Sequence, residues 1–225
     1  MSKQSTRARR AAPPPPKKTV WWPWALLAGL VVVALVIAIA STLGSDEKVT
    51  EGTGGSAAET QSVTVVGDPL PKQTASGLDS SPVGLAAPTL HGFNFDGSSV
   101  DITPGGTAKM IVFLAHWCPH CNNEIPVLNA WRDTGQMPAG LDVIGVSTAA
   151  NAQSENYPPS AWITRKQWTW PVLADSADGT AAQAYGLGGF PTFVIVGTDG
   201  KVKLRYSGEA PQEVLTTMVN QALAT

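Results

Sequence analysis

Short apolar runs of strand length that alternate with helical periodicities, two Asp-Gly turns, and an amphipathic closing segment predict an α/β fold with a mixed sheet over residues 83–225. Residues 89–95 and 99–102 flank Asp96-Gly97 and are expected to pair as a hairpin, since Asp-Gly supplies the turn conformations that join two strands closely. Residues 109–115 (KMIVFLA) are almost continuously apolar, as a strand buried on both faces should be. Beyond them Ile125, Leu128 and Trp131 recur at helical spacing, so a helix is expected from Cys118 to about Arg132, with a kink at Pro126.

Residues 141–147 (LDVIGVS) predict a second central strand. A helix over 160–168, a short strand over 170–173 and a short helix over 180–185 follow. Residues 193–196 and 202–206, separated by Thr198-Asp199-Gly200, predict a second hairpin, and 211–223 an amphipathic helix. The tryptophans at 162, 168 and 170 are expected in the core, with a client groove as the alternative.

The first eighty residues are organised differently. Residues 1–20 carry six cations (Lys3, Arg7, Arg9, Arg10, Lys17, Lys18), no acid and four consecutive prolines, which reads as a stiff basic tail. Residues 21–40 (WWPWALLAGLVVVALVIAIA) hold no charge, and at ~1.5 Å per residue a helix of that length spans the ~30 Å hydrocarbon layer. Residues 21–43 are therefore expected to be a transmembrane anchor. The cations before it and the acids after it place the tail in the cytoplasm and the rest of the chain outside. A cleaved leader ending at Ala40 is the alternative. Residues 44–82, rich in Gly, Ser, Thr and Ala, read as a flexible extracytoplasmic linker with a hint of a strand at 63–66. Beyond residue 20 the chain is acidic and its cations are scattered, which argues against a nucleic-acid partner.

The chemistry centres on Trp117-Cys118-Pro119-His120-Cys121. A Cys-x-x-Cys that opens a helix directly after a buried strand sets Cys118 among unpaired N–H groups at the positive end of the helix dipole, which favours negative charge on its sulfur. Cys121, one turn on, is placed to attack a mixed disulfide formed at Cys118. A purely structural disulfide would close too small a loop to restrict the unfolded chain much. A zinc site would need about four ligands, and besides the cysteines there are only His91, His116 and His120. No metal or cofactor is expected beyond the cysteine pair.

His120 between the cysteines could stabilise the Cys118 thiolate, making the disulfide more oxidising, or stand in solvent. His116 reads as polar surface, and Trp117 as a wall beside the sulfurs. Glu124, three residues past Cys121, could sit under the pair with a raised pKa and take the Cys121 proton, or be an ordinary first-turn glutamate. Phe190-Pro191 before a strand could be a cis bond that exposes Phe190 backbone groups to an extended substrate, or a trans proline opening an edge strand.

Residues 83–224 resemble the TlpA/ResA-type branch of the thioredoxin superfamily. The likeness is carried by 83–88 (VGLAAP), 113–121 (FLAHWCPHC), Glu124 with Pro126, and Gly189-Phe190-Pro191-Thr192. It implies a thioredoxin fold, a redox-active cysteine pair, a cis proline at 191, a working acid at 124, and, for membrane-tethered members, reduction of exported proteins such as apocytochromes. Thioredoxins proper have an Asp where Val112 stands, which leaves Glu124 as the evident proton acceptor. The Pro119-His120 pair is similar to that of DsbA-type oxidases and tilts the expected direction toward oxidation of exported clients, with a membrane redox partner resetting the site. The composition and Pro-rich tail resemble those of actinobacterial exported proteins.

Overall fold

The structure is a computed structural model and describes residues 58–224. The anchor and tail expected within residues 1–43 lie outside the described residues. Among those described, no helix is long and apolar enough to cross a membrane.

Among the described residues nine strands form one sheet: β1 (Thr64–Val66), β2 (Gly77–Asp79), β3 (Thr89–Phe93), β4 (Ser99–Ile102), β5 (Ala108–Leu114), β6 (Leu141–Ser147), β7 (Val172–Ala174), β8 (Thr192–Val196) and β9 (Val202–Ser207). The helices are α1 (Pro119–Asp133), α2 (Pro159–Arg165), α3 (Thr180–Ala184) and α4 (Gln212–Leu223). The strand order is β1-β3-β7-β6-β5-β8-β9-β2, with β4 paired to β3. β5, β6 and β7 run parallel, while β8 and β9 return antiparallel, so the sheet is mixed, of thioredoxin-like type.

β5 is the centre, buried almost throughout because Met110, Val112 and Leu114 feed one apolar cluster and Ile111 and Phe113 the other. Its register fixes where chemistry can occur. Phe113 pairs with Thr192 on β8, and Thr192 pairs with Ser207 on β9. Three segments therefore meet at one end of the sheet: the 115–118 turn into α1, the 188–191 loop and the 208–211 loop.

α1 starts where Pro119 has no N–H to lose and a fixed φ that suits a first turn. Pro126 sits inside it and leaves the Asn122 carbonyl without its usual helical donor. The Lys166 ammonium donates to that carbonyl at 2.9 Å, which satisfies the orphaned acceptor. Trp162 and Trp168 are core residues, and the Trp162 indole N–H donates to Asn122 Oδ1 at 2.9 Å.

The expected linker boundary at 83 is corrected. Residues 58–82 contribute β1 and β2 and bury Leu70 and Gln73. Leu70 N–H donates to the Ala184 carbonyl and Gln73 N–H to that of Gly186, both at 2.8 Å. A Cβ on Gly186 would stand 2.4 Å from the Pro71 oxygen, at a residue whose φ is +61°, so this close approach requires glycine. Glu59 accepts from Ser160 N–H and Oγ and so ties the same segment to the start of α2.

Arg205 on β9 anchors this arm from beneath. It is fully buried, pairs with Asp79, and donates to the Tyr185 and Pro71 carbonyls at 2.7 Å each. Burial works to raise the Asp79 pKa, but hydrogen bonds from Arg205 and Ser81 prevail and hold it below its ordinary value. Arg205→Met should lower stability by about 3 kcal/mol, because it leaves a carboxylate and two carbonyls without their donor. Urea unfolding monitored by tryptophan fluorescence checks this, with loss of protection of residues 70–81 in hydrogen exchange as the local signature.

Candidate active site

Cys118 caps the N-terminus of α1 and Cys121 lies one turn along, on the face that buries Ile125, Leu128 and Trp131. Both thiols are free, Cys121 fully buried and Cys118 nearly so. The Cys118 thiol points at the Phe190 carbonyl, 3.6 Å away, across the cis Phe190–Pro191 bond. Cys121 Sγ accepts from Ala115 N–H at 3.5 Å. Burial pushes the Cys121 thiol up despite that hydrogen bond, with the nearby Cys118 and Glu124 adding to the rise. Cys121 is therefore a thiol that needs a base before it can act as a nucleophile.

Glu124 is the candidate for that base. It is buried, one turn beyond Cys121, with Oε2 accepting from Ala210 N–H at 3.0 Å. Oε1 has no hydrogen-bond partner among the described residues. Burial drives its pKa up; the Ala210 hydrogen bond opposes, Glu209 adds repulsion, and the outcome is about 7. A carboxyl with a free oxygen and that acidity can accept or return a proton near neutral pH.

The surroundings depart from expectation at two histidines. His116 is fully buried, not surface: Asn151 N–H donates to Nε2 at 3.1 Å and Nδ1 lies 2.8 Å from the Glu155 carbonyl, which puts the ring proton on Nδ1. It fixes the loop after β6 to the cysteine turn. His120 is exposed, and its Nδ1 lies 2.6 Å from Glu209 Oε1; no hydrogen bond from it to either sulfur is present among the described residues. Trp117, directly before Cys118, donates its indole N–H to the Ala149 carbonyl at 2.8 Å and sets its ring edge-on to Phe190 at 6.0 Å.

Glu209 and Ala210 were not singled out by sequence reasoning. They reach α1 from 86 residues or more away, and no local pattern signals that contact. Among the described residues no cluster of His, Cys, Asp and Glu could hold a metal ion.

A dithiol at a helix N-terminus on a thioredoxin-like sheet, backed by a buried carboxyl, defines a thiol-disulfide oxidoreductase. The chain belongs to the Redoxin family, whose model matches residues 65–223. It is similar to the thiol-disulfide oxidoreductase ResA of Geobacillus thermodenitrificans, 26% identical over 132 residues that cover 58% of this chain and 72% of that one. It is also similar to the soluble secreted antigen MPT53 of Mycobacterium tuberculosis, 29% identical over 116 residues, or 52% of this chain and 60% of that one. In fold it matches a Chlorobium tepidum chain assigned to the DsbE thiol:disulfide interchange proteins, with a TM-score of 0.51, 23% identity, and coverage of 62% of this chain and 96% of that one.

The carboxyl leaves a mark on stability that is independent of turnover. Folded Glu124 keeps its proton to about pH 7, whereas the unfolded chain releases it near 4.5. Raising pH between those values favours the unfolded chain, so the penalty is absent below 4.5 and complete above 7. Glu124→Gln should thus unfold later than the parent above pH 7, by about 2 kcal/mol, and show no such gain below pH 4.5. Thermal unfolding across that pH range provides the measurement.

Proposed function

We propose that this chain is an extracytoplasmic enzyme that exchanges disulfides with exported client proteins, tethered by residues 21–43. The observation that carries the reading is the buried Glu124 carboxyl, with Oε1 free, one turn from a buried Cys121 thiol. Cys118, as thiolate, attacks a client disulfide; that S–S bond breaks, one client thiolate leaves, and a Cys118–client disulfide remains. Cys121 gives its proton to Glu124 and attacks Cys118 Sγ, which expels the second client thiolate and leaves the Cys118–Cys121 disulfide. Two electrons have passed to the client, and a membrane dithiol partner returns them. Phe190, whose carbonyl faces Cys118, and Pro191 border the sulfurs where an extended client would lie.

The surroundings of His120 bear on the direction. The oxidising expectation required His120 to act on Cys118, but its Nδ1 is engaged by Glu209 Oε1 at 2.6 Å. This supports reduction of clients, in keeping with the likeness to ResA. The Pro119-His120 pair itself supports the second reading, oxidation of clients, run along the same path in reverse.

The reduction potential of the Cys118–Cys121 pair against glutathione separates the two. Reduction predicts a value near the thioredoxin range, about −270 mV, while a value near about −120 mV would establish oxidation. Cys121→Ala should accumulate exported proteins as Cys118 mixed disulfides; no trapped protein among exported chains would contradict the client assignment.

A further inference from the structure

The 208–211 loop is joined to α1 twice, side by side. Glu209 Oε1 accepts from His120 Nδ1 at 2.6 Å and from Asn123 Nδ2 at 3.1 Å. The next residue, Ala210, presents its N–H to Glu124 Oε2 at 3.0 Å. Tyr206 closes the loop on itself, its hydroxyl donating to the Glu209 carbonyl at 2.9 Å. Gly208, with φ +121°, makes the bend that brings β9 round to face the helix, and its N–H donates to the Pro191 carbonyl at 2.9 Å. One exposed carboxylate thus holds the loop whose backbone touches the buried one.

We propose that Glu209 is a positioning residue for Glu124: clamped by His120 and Asn123, it keeps the Ala210 N–H on the buried carboxyl, so that His120 acts on the proton acceptor through Glu209 and not on the Cys118 sulfur. The proposal rests on the reading of Glu124 as the acceptor only for its kinetic consequence; the linkage itself is structural. The titratable groups around Glu124 are Cys121 on its own helix, with Cys118 at the cap beyond it, and Glu209 on the loop, with His120 beyond Glu209. The neighbouring elements contribute Val112 and Phe193 from the sheet and Leu215 from α4 to the apolar cluster that the same face of α1 enters through Cys121, Ile125 and Leu128, none of them charged.

Glu209 has two opposed effects. Its charge repels ionised Glu124, while the loop it holds supplies a hydrogen bond that favours ionisation, and the hydrogen bond is the larger effect. Removing the whole side chain and removing only its charge should therefore move Glu124 in opposite directions. In the full-length reduced chain, Glu209→Ala frees the loop and should shift the Glu124 titration, followed by its side-chain carboxyl ¹³C resonance, upward by roughly half a unit. Glu209→Gln keeps a hydrogen-bonding group without the charge and should shift it downward. His120→Ala should also shift it upward, yet add nothing in the Glu209→Ala background, as a double-mutant cycle requires of a residue acting through another.

Unmoved titrations in both Glu209 variants, or a His120 effect that persists without Glu209, would overturn the proposal. The pH profile of disulfide exchange, recorded on the same variants, isolates the other reading. A resonance that shifts while the rate profile stays fixed would uphold the positioning role and reject Glu124 as the kinetic base. Circular dichroism of each variant confirms that the fold is retained.

Discussion

The arrangement depends on keeping one carboxyl, that of Glu124, buried with one hydrogen bond among the described residues. Burying a polar group without full pairing is unfavourable, and a buried carboxylate more so, which is why this group holds its proton to about 7. A fully paired carboxylate would be more stable and chemically inert. The Ala210 N–H is enough to orient the group, and the unpartnered Oε1 leaves it able to take a proton. The burial that raises Glu124 also raises Cys121, so one environment tunes both groups.

Around that carboxyl, the sheet and its loops act as a frame. Pairing of β5 with β8 and of β8 with β9 brings three turns to one end, and each contributes a group: the cysteines, the Phe190 carbonyl, and the Ala210 N–H. Asn122 stabilises the helix start from within. Its amide donates to the His116 and Cys118 carbonyls, its side-chain oxygen takes the Trp162 N–H, and its own carbonyl takes Lys166 in place of the donor that Pro126 lacks. The first turn of α1 can hold the two sulfurs in place because its backbone is tied to α2 and to the cysteine turn.

What could be read from the residues was what local spacing carries. The central strands, the helix from Cys118 and the hairpin around Asp96-Gly97 follow from periodicity and turn chemistry, and β6 spans the residues its apolar pattern marks. Glu124 was legible as a candidate because three residues is one helical turn. The remainder depends on partners far along the chain. Residues 58–82 look like linker by composition, since their order comes from backbone hydrogen bonds to Ala184 and Gly186 and from Arg205, 126 residues beyond Asp79. His120 between two cysteines invites pairing with a sulfur, and only the turn of β9 into α4 reveals the carboxylate that takes it instead. His116 was misplaced for the same reason, as its two partners lie 35 and 39 residues away.

The central claim is that Glu124 removes the Cys121 proton, and the resolving step tests it most directly. The Cys118–glutathione mixed disulfide, formed in stopped flow from the reduced protein and oxidised glutathione, is followed as Cys121 displaces glutathione across the pH range. The account predicts that this rate rises through an inflection near pH 7, and that Glu124→Gln slows it by about a hundredfold and removes the inflection. Equal rates and identical profiles in the two proteins would contradict it.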